Sequence, residues 1–161
     1  MKSIQTALTA VALLGTLTLT SCSFFEGSAK HREVGTPIPS TKKAVDAILA
    51  DDEANEGKRF MITGYLNYSA SMSVYTSRPQ TVYVYSSPDH VGANITPIEM
   101  HWAENGTNSV FVPQDGGGDE TKTIFYDNDS KPITGKDKVN VSFSVSNQSV
   151  YPIEIRIDKA K

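Results

Sequence analysis

The sequence predicts a mainly β domain, an antiparallel barrel or sandwich, with one α-helix ahead of its strands. Three observations carry this. Five segments between residues 59 and 158 alternate apolar with polar residues at period two. One segment, 40–56, has the spacing of a helix instead. The chain has 161 residues, which suits a single domain. Its one cysteine excludes an internal disulfide framework and any multi-cysteine zinc or iron–sulfur site. Eighteen acidic against 15 basic residues do not suggest a nucleic-acid binder, and the chain has no glycine-rich phosphate loop.

The N-terminus supplies an address. Lys2 is a positive start, and residues 4–19 are uncharged and, Gln5 apart, apolar or hydroxylic, as in a secretory signal peptide. The run ends Leu19-Thr20-Ser21-Cys22. This resembles the lipobox of bacterial lipoproteins, carried by Leu19, Ser21 and Cys22, with Thr20 a tolerated filler. The resemblance implies that residues 1–21 are a lipoprotein signal peptide and that Cys22 becomes the first residue and carries acyl chains such as palmitate. Each buried methylene contributes about 0.8 kcal/mol, so several chains anchor the protein to a membrane. The alternative is a transmembrane anchor with an incidental cysteine. Cleavage removes Lys2 and leaves 14 basic against 18 acidic residues, a net charge of −4. Ser23 follows without an acidic run; by resemblance to lipoprotein sorting this points to an outer-membrane protein facing the periplasm.

Residues 22–39 form a lipidated tether, in which Gly27, Ser28, Gly35, Pro37 and Pro39 oppose regular structure. Phe24 and Phe25 stand next to the lipid, either at the interface or as ordinary linker residues. Residues 40–161 form the domain.

The helix spans 40–56. Ser40 or Thr41 caps it, and Ala44, Val45, Ile48 and Leu49 dock it. The stripe fades at Asp52. Asp51, Asp52, Glu53 and Glu56 crowd its end, where negative charge opposes the helix dipole, and Gly57 stops it.

The strands follow. Segment 59–68 puts Phe60, Ile62, Leu66 and Tyr68 on one face, with Met61, Thr63, Tyr65 and Asn67 on the other. Gly64 within it marks a bend or bulge. Segment 81–86 sets Val82 and Val84 against Tyr83 and Tyr85. Segment 97–103 sets Ile98, Met100 and Trp102 against Glu99 and His101. Segment 138–146 sets Val139, Val141, Phe143 and Val145 against Asn140, Ser142 and Ser144. Segment 150–158 sets Ile153, Ile155 and Ile157 against Glu154, Arg156 and Asp158, and Pro152 places its start at an edge or after a bulge. Such alternation means sheets with one buried face. An insert at about 104–135 holds a turn at Asn105-Gly106, short strands at 110–112 and 123–126, a loop at 114–120 and turn residues at 127–132.

The order of one helix, a long strand with a central glycine, two more strands, an insert and two last strands resembles the OB-like family of small bacterial lipoproteins, related to the tRNA-anticodon-binding type of domain. Two stretches carry it: 44–66, with A-V-D-A-I-L, N-E-G-K and R-F-M-I-T-G-Y-L, and 133–145, with I-T-G-K-D-K-V-N-V. The match covers about 42–158, in pieces, and departs from the family at the insert and in lacking cysteines in the third and last strands. It implies an antiparallel five-stranded barrel filled by Ile62, Leu66, Val82, Val84, Met100, Val141, Phe143, Ile155 and Ile157. A small immunoglobulin-like β-sandwich is the alternative. It also implies a binding surface on the outer face of the second and third strands, presenting Tyr83, Tyr85, Glu99 and His101, with Tyr65 joining from the first.

Each candidate has a plainer account. Tyr83 and Tyr85 are an aromatic platform or ordinary strand residues. Glu99 and His101 share a metal or a proton, or make a surface pair; two ligands are an incomplete site, and His31 and His90 lie in loops. The acidic runs 115–120 and 127–129 invite calcium, but from Asp127 the fifth and sixth positions are Lys131 and Pro132; turns account for both runs. There is no G-x-S-x-G elbow, and a triad assembled in space is recognised only by geometry. The basic pairs Lys42-Lys43, Lys58-Arg59 and Lys136/Lys138 are scattered, and a charge of −4 repels phosphates.

The expectation is a non-enzymatic cell-envelope lipoprotein, without cofactor, metal or catalytic residue. It binds a protein partner or an envelope glycan, using the tyrosine face and the insert. The alternatives are an envelope hydrolase or metal-dependent enzyme, in which His101 and Glu99 meet a third acid or histidine in a pocket, and an oligonucleotide-binding domain, in which the basic pairs converge beside the tyrosines.

Overall fold

The computed structural model describes residues 33–68, 78–113 and 122–161. The signal segment 1–21, Cys22, most of the tether, His31 and the loop 114–120 lie outside the described residues.

The chain folds as one nearly closed, barrel-shaped sheet with a helical N-terminal segment. The elements are β1 (Thr36–Pro37), α1 (Lys42–Ala50), α2 (Asp52–Asn55), β2 (Arg59–Asn67), β3 (Gln80–Tyr85), β4 (Thr96–Trp102), β5 (Ser109–Phe111), β6 (Ile124–Tyr126), β7 (Pro132–Ile133), β8 (Val139–Ser144) and β9 (Ile153–Lys159). Their order across the sheet is β7-β6-β5-β4-β3-β2-β8-β9, with β1 beside β2. The five long strands are the five alternating segments. The interior residues implied by the barrel resemblance all belong to one buried cluster, while Phe60, Trp102 and Ile153 from the same alternating faces are only half-buried. One continuous sheet replaces the two packed sheets of a sandwich.

The single helix expected over 40–56 is two. Thr41 caps α1, its Oγ1 accepting from the Ala44 N–H at 3.3 Å, and Val45 is fully buried. Asp51 (φ −107°, ψ 52°) ends α1. The break changes the electrostatics. Asp52 and Glu53, unfavourable at the end of one long helix, stand in the first turn of α2, where the dipole favours them. Asn55 Nδ2 donates back to the Ile48 carbonyl at 3.1 Å, and Gly57 turns the chain at φ +70°.

The end of the expected tether is also part of the fold. β1 pairs parallel with β2, and the Ile38 N–H bonds the Met61 carbonyl at 3.0 Å. Ser40 Oγ does not cap the helix; it accepts the Thr63 N–H at 2.7 Å. Gly35 is buried here, where a Cβ would lie 2.2 Å from the Phe60 carbonyl oxygen.

Gly64 is the point at which β2 changes partner. Arg59 to Gly64 pair with β8, and Tyr65 to Asn67 pair with β3. A Cβ at Gly64 would stand 2.5 Å from the Tyr85 carbonyl oxygen, so only glycine lets β3 come this close.

Two strand readings need correction. Ser142 and Ser144 are buried rather than solvated. Gly35 N–H donates to Ser142 Oγ at 3.1 Å, and Arg59 Nη1 donates to Ser144 Oγ at 2.9 Å. At the start of β9, Ser144 faces Ile153 while Ser142 faces Arg156, so a bulge inserts one residue around Glu154 (φ +50°). It moves Ile153 off the face shared by Ile155 and Ile157.

The insert is not a surface appendage. β5 extends the sheet by parallel pairing with β4, and β6 and the unexpected β7 follow it antiparallel. The run at 127–129 is a turn in which Asp127 and Asn128 are buried, with Asp127 Oδ1 accepting the N–H groups of Asp129 and Lys131.

Candidate binding face

Strand geometry fixes what each candidate side chain can reach. Directly paired residues project on the same side of a sheet, with Cβ atoms about 5 Å apart. Tyr65 of β2 pairs with Tyr85 of β3, and Tyr83 pairs with Asn67 on one side and Pro97 on the other. The three tyrosines therefore form one cluster on the outer face of β2–β3, all half-buried. Their partners in the alternation, Leu66, Val82 and Val84, are fully buried beneath them.

Glu99 pairs with Thr81 and is exposed. His101 is exposed too and pairs with Ser109 of β5. It lies four residues beyond Pro97, about 13 Å along the strand. The structure thus gathers Tyr65, Tyr83 and Tyr85 and leaves Glu99 and His101 at the rim. Among the described residues the Glu99 and His101 side chains make no ion pair or hydrogen bond, and no three His, Cys, Asp or Glu side chains gather as a metal site.

The face has a member that sequence reasoning left unplaced. The His90 ring packs on Tyr85, centroids 5.4 Å apart and tilted by 60°. Its Nε2 lies 3.1 Å from the Gly135 carbonyl oxygen, to which it donates when it carries the proton. The only local signal was the Ser87-Pro88-Asp89 turn before it, which says nothing of a partner 45 residues away.

Lys42-Lys43 and Lys58-Arg59 line neither of the grooves that hold Lys136 and Lys138. Lys138, Arg156, Lys159 and Lys161 line a groove with Met61 and Thr63, which share the face of β2 that carries Tyr65, and Arg156 is held there by Asp158 at 2.7 Å. That contact keeps the guanidinium protonated to still higher pH than usual.

No family model, curated protein or solved structure matches the chain.

Proposed function

We propose that this chain is a non-enzymatic, lipid-anchored binding module of the bacterial cell envelope, an OB-like barrel that recognises an envelope glycan or a protein partner. The observation that carries it is the registered cluster of Tyr65, Tyr83 and Tyr85. Aromatic rings on a rigid sheet offer flat apolar contact at little entropic cost. The order β4-β3-β2-β8-β9, with β9 returning toward β4, supports the OB-like assignment, and OB folds bind on this face. The charge of −4 favours a neutral ligand over a nucleic acid. The lipobox-like Leu19-Thr20-Ser21-Cys22 supports the anchor and, with Ser23, a place in the outer membrane facing the periplasm.

The test is an amide NMR titration of residues 23–161, which keep the whole buried core. The panel holds envelope oligosaccharides, divalent metals and a single-stranded oligonucleotide. Saturable shifts at Tyr65, Tyr83 and Tyr85 with the sugars support the glycan reading. A spectrum unmoved by the panel removes it and leaves a protein partner, to be captured by crosslinking in native membranes. For the anchor, Cys22→Ala should abolish incorporation of labelled palmitate.

A further inference from the structure

A cleft of about 490 Å³ opens at one end of the barrel, beside the tyrosine cluster. Its walls are the end of β2 at Asn67, the turn Pro88-Asp89-His90, and the segment Thr134-Gly135-Lys136. Its floor is core: Leu66, Tyr68 and Phe125. The volume falls within the range of small-molecule pockets, about 300–1,000 Å³.

Both rims are braced from within. On one, the His90 N–H bonds the Ser87 carbonyl at 3.1 Å and the Asp89 N–H bonds Ser87 Oγ at 3.3 Å. His90 itself sits at φ +54°, a conformation its neighbours must hold. On the other, Asp137 Oδ2 accepts the Thr134 N–H at 2.8 Å and the Thr134 hydroxyl at 2.9 Å. Gly135 joins the two. A Cβ there would lie 2.7 Å from the Leu66 carbonyl oxygen and 3.2 Å from His90 Cε1, so glycine lets the rims meet. A cleft whose walls are held in the free protein loses little entropy when filled.

The lining selects a class of ligand. Asp89 and Lys136 offer one charge of each sign, which favours a neutral occupant. The Asn67 amide, the Thr134 hydroxyl, the carboxylate and the ammonium provide donors and acceptors around an imidazole and a largely apolar floor. A pyranose, with apolar C–H faces and hydroxyl or amide edges, matches that arrangement. Asn67 belongs to both places: it lines the cleft and pairs with Tyr83 on the outer face. His90 likewise lines the cleft while its ring rests on Tyr85.

We infer that this cleft binds the terminal sugar of a glycan whose following residues lie across Tyr85, Tyr65 and Tyr83. The inference rests on the glycan reading above and assigns its polarity and its end-recognising site.

The experiment titrates the 23–161 chain with N-acetylglucosamine, with triacetylchitotriose and with adenosine, following backbone amides. Expected are saturable shifts at Asn67, His90, Gly135 and Lys136 with both sugars, and shifts at the tyrosines with the trisaccharide only. His90→Gly, which keeps the positive φ accessible, should weaken the monosaccharide at least tenfold; Asn67→Ala serves the same purpose if that variant does not fold. Tyr83→Ala should weaken the trisaccharide and leave the monosaccharide unchanged. Trisaccharide shifts confined to the tyrosines would overturn the cleft and keep the glycan reading. Absence of any sugar response would overturn both. Saturation by adenosine with no response to the sugars would assign the cleft to a planar base and overturn the inference.

Discussion

Asn108 Nδ2 donates to Asn128 Oδ1 at 3.0 Å, with both residues buried at the seam where the insert meets β9. The pair replaces a neighbouring strand. Asn108 Oδ1 accepts the Ile157 N–H at 2.8 Å, and the Asn128 N–H donates to the Ile157 carbonyl at 2.7 Å. Both backbone groups of Ile157 that face this seam are thereby satisfied without a continuous ladder. This explains why the sheet is nearly closed although its terminal strands, β7 and β9, do not pair.

Asn108→Ala should therefore be among the costliest polar substitutions in the domain. It strips a buried N–H and a buried amide oxygen of their partners, at about 1–3 kcal/mol each. It also places a residue other than Asn at φ +47°, which disfavours side chains that lack a local hydrogen bond. A urea midpoint lowered by the equivalent of about 3 kcal/mol is expected. A loss below about 1 kcal/mol would mean that the seam does not depend on this amide.

Gly64→Ala tests the change of partner in β2. The new methyl would meet a backbone oxygen and, at 2.7 Å, Val84 Cγ1. Only the valine can yield. Overpacking of this kind costs about 1–3 kcal/mol, and the strain should appear as weakened amide protection at Tyr65 and Asn67, whose pairing with β3 begins beyond it. Protection lost first on the β8 side would contradict the account.

The same positions show what the sequence could disclose. Alternation placed Val82, Val84, Val141 and Ile157 inside because burial follows the pleat, and Gly64 stood out because a glycine in a strand has few other uses. The seam was illegible. Asn108 and Asn128 look like turn residues, and their work depends on Ile157, 49 positions after Asn108. The bulge at Glu154 was hidden for the same reason, since an inserted residue is defined only against a partner strand. The tyrosine cluster was legible as alternation within β3, but the pairing of Tyr65 with Tyr85 is a matter of register. His90 and Gly135 meet only in the folded chain.

The tyrosines should separate binding from stability. Cross-strand aromatic pairs contribute roughly 0.2–1 kcal/mol. Tyr83→Ala should accordingly change the urea midpoint by no more than about 1 kcal/mol while removing the sugar-dependent shifts on the face. Equal loss of both would mean that the rings serve the sheet and not a ligand.

Asp137 links pH to the cleft. The Lys159 ammonium beside it, then the Thr134 N–H, hold its carboxyl below the usual aspartate range. An acid whose folded pKa is depressed adds stability that is complete above its unfolded value, about 3.9, and is lost as pH falls through the folded one. Lys159 is largely exposed, so solvent screens the pair. Asp137→Asn should then cost about 1 kcal/mol at pH 7. That difference should begin to shrink as pH falls below the unfolded value, about 3.9, and approach zero only below the lower folded one, where the native carboxyl is neutral as well. Urea midpoints of both proteins followed from pH 7 into acid until both profiles level off make the comparison, and the Thr134 amide should exchange faster in the variant at pH 7. Parallel pH profiles for the two proteins would show that this carboxylate does not brace the rim, and the preorganisation of the cleft would have to come from His90 and Gly135 alone.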